Sequence, residues 1–196
     1  MYKIGLTGGM GSGKSIVARV FNELFIIPVF YADNEAKKLM HENPELKQAI
    51  IELFGSASYD ENGMLNRPYL AEKIFNHNSL REKLNQKVHA EVRNQFEKWT
   101  NRQNAPYILH EAAIMIESGF YQHMDKLITV NAPIEQKIER IEERDKMSKE
   151  QILQRMKVQL SDEERSQHAD FIITNDNHHS VVSQVKSIHL KLIAHG

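Results

Sequence analysis

Apolar residues fall along this chain in two kinds of pattern. Short unbroken runs occupy residues 2–7, 27–31, 107–109, 127–130 and 171–174. Each is too short for a helix and is bounded by turn formers or polar residues, so each predicts a buried strand. Between the runs lie stretches with helical spacing. Val17, Val20, Phe21 and Leu24 mark a helix directly after the first run. Strands alternating with helices predict an α/β fold, a parallel sheet of about five strands flanked by helices.

The alternation breaks between the second and third runs, where the sequence reads as helix alone. Residues 33–42 and 44–54 carry helix formers, and Pro44 suits a first helical turn. Asp60-Glu61-Asn62-Gly63 predicts a turn. Asn66 is placed to cap a further helix that opens at Arg67-Pro68. Leu80, Leu84, Val88, Val92, Phe96 and Trp99 then form one apolar stripe at spacings of four and three. The expectation is one domain of 196 residues, with a core over about 1–35 and 105–196 and a helical insert over about 36–104.

Composition narrows the function classes. The 41% hydrophobic and 26% charged fractions are those of a globular protein. With 25 Lys and Arg against 26 Asp and Glu, the chain lacks the basic excess of a nucleic-acid binder. The absence of cysteine excludes disulfides, thiolate metal sites and a cysteine nucleophile. No apolar run approaches a membrane span, and the first residues lead straight into strand-like sequence, so the expected location is the cytoplasm. Ten histidines without paired ligand spacing predict no structural metal, and His178 and His179 are expected in a solvated loop.

Chemistry concentrates at residues 8–15. Gly8-Gly9-Met10-Gly11-Ser12-Gly13-Lys14-Ser15 satisfies G-x-x-x-x-G-K-[ST], a phosphate-binding loop in its expected place between a strand and a helix. Glycines let backbone N–H groups close on phosphate oxygens, Lys14 brings charge, the Ser15 hydroxyl can hold Mg²⁺, and the helix start favours an anion. A nucleoside triphosphate is therefore expected. A GTPase switch would need D-x-x-G after a buried strand and an N-K-x-D. The only D-x-x-G match worth weighing follows Gly55-Ser56-Ala57-Ser58-Tyr59, which is no strand, and N-K-x-D is missing. A motor would need more chain, and the kinase reading remains. Asp33, at the end of the second predicted strand, faces the ligand crevice of such a sheet and can take a hydroxyl proton, or can simply cap the next helix.

The whole chain resembles the dephospho-coenzyme A kinase family. The resemblance runs through residues 4–15, Tyr31-Ala32-Asp33, Leu65-Asn66-Arg67 with Leu70 and Phe75, and Ala113-Ile114-Met115-Ile116-Glu117. It continues through Val130-Asn131-Ala132-Pro133, Arg140, Arg144-Asp145, Arg155 with Gln159, and Ala169-Asp170 leading to Asn175. It implies a P-loop kinase fold and transfer of the ATP γ-phosphate to the ribose 3′-hydroxyl of dephospho-coenzyme A. Asp33 is the base of that family. Gly9, Gly11, Ser12, Gly13, Lys14, Ser15, Ile16, Arg144 and Asn175 are expected at the nucleotide, and Arg67, His89, Arg93 and Glu117 at the acceptor. Tyr31 stands where the family has an aspartate, Ala113 where it has proline, and Ile16 where threonine is common.

Several of these assignments compete with plainer ones. Lys137, Arg140 and Arg144 share a helical face, and the resemblance makes their segment, about 137–165, a lid whose Arg140 meets the transferring phosphoryl group. Interleaved Glu135, Glu139, Glu142 and Glu143 also fit an ordinary solvated helix. Asn85, His89 and Arg93 share a face that serves equally as the polar flank of a half-buried helix, and Arg67 is a similar case. Glu111, ending the third strand, can hold Mg²⁺ through water or be a surface carboxylate. Ser148 with Gln151 forms a capping box. The expected partners are ATP, Mg²⁺ and dephospho-coenzyme A, without nucleic acid or membrane, for a monomer or small homo-oligomer.

Overall fold

The computed structural model describes residues 1–194, with the backbone alone at Asn76 and Asn78. The chain folds as two compact units, Met1–Tyr31 with Gln103–Gly196, and Ala32–Arg102. The boundaries come a few residues earlier than the sequence pattern suggests.

The first unit is built on five parallel strands: β1 (Tyr2–Gly8), β2 (Val29–Tyr31), β3 (Tyr107–Glu111), β4 (Lys126–Asn131) and β5 (Phe171–Thr174). They lie in the order β2-β3-β1-β4-β5. Most of their positions are buried, as expected of parallel strands covered on both faces. β2 is shorter than its apolar run because Pro28 has no N–H to give the ladder, although its carbonyl accepts from Leu109 N–H at 2.9 Å. β3 is longer than its run, extending through His110 and Glu111, two polar residues that the sheet buries.

Helix α1 (Lys14–Phe25) covers one face of the sheet with α9 (Val181–Ala194), joining Ile4, Leu6, Val17, Phe21, Leu109, Val130 and Ile188 in one core. The predicted stripe on α1 holds for Val17 and Phe21, whereas Leu24 is half exposed. The helix ends one residue later in a Schellman turn. Ile26 takes a left-handed conformation, and Ile27 N–H reaches back to the Phe21 carbonyl. Burial therefore passes from the last helical turn to Ile27. After β4 come α6 (Ile134–Asp145), α7 (Lys149–Met156) and α8 (Asp162–His168). Ile138, Ile141 and Ile152 form a small separate core there. Both α7 and α8 begin with complete capping boxes, Ser148–Gln151 and Ser161–Glu164.

The second unit comprises α2 (Ala32–Glu42), α3 (Pro44–Phe54), α4 (Arg67–Asn76) and α5 (Asn78–Thr100). Asn43 and Asn66 cap α3 and α4, accepting from Leu46 N–H and Tyr69 N–H. Along α5 the predicted stripe buries Leu84, Val88, Val92 and Phe96 against the neighbouring helices. The 60–63 turn forms as predicted, closed by Gly63 N–H to the Asp60 carbonyl at 2.9 Å.

Candidate active site

The β1 strand ends at Gly8, and the chain turns through the loop to begin α1 at Lys14. Gly13 takes a left-handed conformation with φ of 93° as it enters the helix. A Cβ there would be strained and would collide with the Asn175 amide, so the position admits only glycine. The loop closes through Ser12 N–H to the Gly9 carbonyl at 3.1 Å, while the Gly13 carbonyl accepts from Ile16 and Val17. The outcome is a backbone cradle at a helix start, where N–H groups and the helix dipole favour an anion.

A brace holds this cradle from behind. Asn175, buried just after β5, donates through Nδ2 to the Ser12 carbonyl at 2.8 Å. Arg140 donates to the Gly11 carbonyl at 3.4 Å and the Asn175 carbonyl at 3.1 Å, and is itself steadied by Gln136 at 2.9 Å. These bonds engage the Gly11 and Ser12 carbonyls. The turn that follows is fixed by Asp176, which accepts from the His178 and His179 N–H groups and from the His179 ring. Those bonds, the His179 backbone first, hold its carboxyl well below the usual range. The two histidines are exposed, as expected.

The three cations predicted on one face of α6 meet different partners. Lys137 is buried against Asp162. Arg140 is spent on the loop carbonyls. Arg144 is exposed and grips Asp145 with two bonds of 2.8 Å. On the same side Met10 packs into the Ile138–Ile141–Ile152 core and gives its N–H to Gln159 Oε1 at 3.0 Å. Glu117 accepts from Arg165 Nη2 at 3.1 Å and from Leu160 N–H at 3.2 Å, so it holds the start of α8. The sequence pattern did not single out Asp162 and Arg165. Their signal was an acid and a base three apart, directly behind a serine cap.

At the end of the sheet, Glu111 is buried and pairs in register with Tyr31. Burial first, and the Glu111 carboxylate second, raise the Tyr31 phenol above its ordinary pKa. The residue in place of the family aspartate is thus a neutral hydroxyl beside an acid. Ser15 and Ile16 are exposed in the first turn of α1. The Ser15 hydroxyl and the Glu111 carboxylate are hard oxygen donors of the kind Mg²⁺ takes, and no cluster of three or more acidic or histidine ligands occurs among the described residues. This donor set fits an ion held chiefly by phosphates and water.

Asp33 is the second residue of α2, inside its first turn, where a carboxylate is favoured by the helix dipole. The helix begins at Ala32, so Asp33 is not its cap. In the same unit Arg67 opens α4, and His89 and Arg93 lie exposed on α5 one turn apart.

Comparison with known proteins now has a geometry to rest on. The sequence profile of dephospho-CoA kinase matches residues 2–180. The dephospho-CoA kinase of Salinibacter ruber is 42% identical over 179 residues, covering 90% of this chain and 89% of the relative. That of Bacteroides fragilis is 37% identical over 193 residues, covering 98% and 91%. Among solved structures, the dephospho-CoA kinase from Campylobacter jejuni superposes with a TM-score of 0.69 at 26% identity, covering 98% of each chain. The parallel sheet, the loop between β1 and α1 and this near-complete coverage agree: the chain belongs to the dephospho-CoA kinase family, the P-loop kinases that carry out the final ATP-dependent step of coenzyme A biosynthesis.

Proposed function

We propose the following division of labour for transfer of the ATP γ-phosphate to the 3′-hydroxyl of dephospho-coenzyme A. Lys14 and the open amides of the loop hold the phosphates. Ser15, and Glu111 through water, hold Mg²⁺, which when bound offsets phosphate charge. Asp33 accepts the hydroxyl proton as the oxygen attacks. Arg140 and Arg144 bring the positive charge of the 137–165 lid, with Asn175 and Arg140 engaging the loop carbonyls. Arg67, His89, Arg93 and Glu117 serve the acceptor. The enzyme works in the cytoplasm, as a monomer or small homo-oligomer.

The observation that carries the reading is the braced loop, in which the Gly11 and Ser12 carbonyls are engaged by Arg140 and Asn175 at the start of α1. Coupled ADP release with ATP and Mg²⁺ tests the acceptor. Turnover is expected with dephospho-coenzyme A and not with AMP, shikimate or simple nucleosides. Comparable turnover of any of those three would replace the acceptor assignment.

A further inference from the structure

Buried Lys137 and Arg165, half-buried Asp162 and the more exposed Glu117 form a charge cluster that the roles above leave unused, Glu117 apart. The first three line a cavity of about 540 Å³ that is also bordered by Gly9 and Met10. Lys137 is 8% exposed and Arg165 is 1% exposed. Two cations taken this far from water need anions, and two carboxylates supply them. Asp162 Oδ2 accepts from Lys137 Nζ, and Glu117 Oε1 from Arg165 Nη2. The pairing is incomplete at the level of atoms. Arg165 Nε and Asp162 Oδ1 are buried and make no hydrogen bond, and Oδ1 lies 3.6 Å from Arg165 Nη1. Asp162 and Arg165 both line the cavity, where a polar occupant can complete these bonds.

The cationic heads converge on the phosphate loop. A Cβ on Gly9 would stand 3.3 Å from Arg165 Nη1 and 3.5 Å from both Lys137 Nζ and Asp162 Oδ1. Glycine here keeps the space between loop backbone and cations clear. Arg165 is fixed by Glu117 and Asp162, whereas Lys137 has three donors on a flexible stem. Asp162 also accepts from Ala132 N–H at 3.3 Å, so it keeps a partner if Lys137 turns towards another anion.

We infer that this cavity is a second phosphate subsite, in which Lys137 binds a phosphate group of a substrate while Asp162, Arg165 and Glu117 position it. The inference rests on the kinase reading above. The group is either the terminal phosphate of the nucleotide or a phosphate of the acceptor.

The test uses the full chain with Lys137→Ala and Lys137→Arg, calorimetric titration with ATP and ADP, and steady-state kinetics with dephospho-coenzyme A. If Lys137 meets the terminal phosphate, the alanine variant binds ATP about tenfold or more weakly and ADP as before. If it meets the acceptor, both nucleotides bind as before and the acceptor KM rises by about tenfold or more. In either case Lys137→Arg recovers much of the loss. Unchanged affinities, KM and kcat with only a lower melting temperature would overturn the subsite, and so would an equal loss for ATP and ADP. Asp162→Asn keeps Lys137 and an oxygen to hold it, and removes a charge that competes for Lys137 and also faces Arg165, so affinity for the phosphate group should hold or rise. A tenfold fall would overturn the inference even if the alanine variant failed to fold. Failure of the unmodified protein to turn over dephospho-coenzyme A would instead overturn the kinase reading.

Discussion

At the scale of single residues, the division between binding and chemistry is the sharpest question. In the proposed division of labour Lys14 neutralises phosphate in the bound state and in the transition state alike, so Lys14→Ala should weaken ATP binding and turnover together. The proposal gives Asp33 a different duty. Its replacement by asparagine keeps the shape and removes the proton acceptor, so turnover should fall about 10²-fold or more with ATP affinity kept, the scale of a lost general base. Steady-state kinetics paired with direct ATP titration separates the two. Near-normal turnover in Asp33→Asn would leave that carboxylate as a first-turn stabiliser of α2. The loop residues were legible in the sequence because their spacing and their strand–helix setting are local. The resemblance put Asn175 at the nucleotide, whereas its side chain goes to the Ser12 carbonyl, 163 positions away in sequence. No local pattern carries that distance.

At the scale of elements, the strands could be read because both faces of a parallel sheet are covered, which makes their sequences continuous apolar runs. The apolar run misses an end where a backbone rule intervenes, at Pro28 before β2, and falls short of the polar His110-Glu111 in β3, although Glu111 reads as the end of that strand. Helix α6 was legible as a helix, and its cations as one face. Their separate fates were not, because Asp162 and the loop carbonyls that claim Lys137 and Arg140 come from distant segments. The start of α8 shows how such an element is held. Ser161 accepts from Glu164 N–H at 3.1 Å, and Glu164 accepts from Ser161 N–H at 2.7 Å. Ser161→Ala removes one half of this box and should destabilise the protein by about 1 kcal/mol. Denaturant unfolding measures that cost. Turnover should fall as well, because Asp162 and Arg165 sit in the turns that the cap orders. A destabilised variant with unaltered kinetics would show that α8 does not serve the site.

At the scale of the molecule, the sheet that presents the loop buries one imidazole, and α9 holds a second half-buried, and this ties stability to pH. His110 lies inside β3 between Phe30 and Phe120, with ring centroids 5.3 and 4.6 Å away. Burial pushes its pKa down to about 3. His189 on α9 stacks on Phe25 at 4.1 Å and meets the Tyr107 hydroxyl at 2.8 Å, and burial lowers it too. Burial also raises the Tyr107 phenol, which stays protonated beside the ring. Below the ordinary histidine value of about 6.5 the unfolded chain takes up protons that these native histidines refuse. Stability contributed by the neutral rings is therefore whole above pH 6.5 and declines as pH falls. For His110 the decline runs on to about pH 3, at about 1.4 kcal/mol per pH unit. The carboxyls of Asp145 and Asp176 are held low by their partners, so their contribution is lost only in more acid solution. Loss of stability between pH 6.5 and 4.5 thus belongs mainly to the histidines. Denaturant midpoints measured across that range should fall steeply for the unmodified protein. In His110→Asn, which starts from a lower stability, the slope should flatten by about one proton's worth. Parallel slopes in the two proteins would show that His110 does not carry the pH dependence.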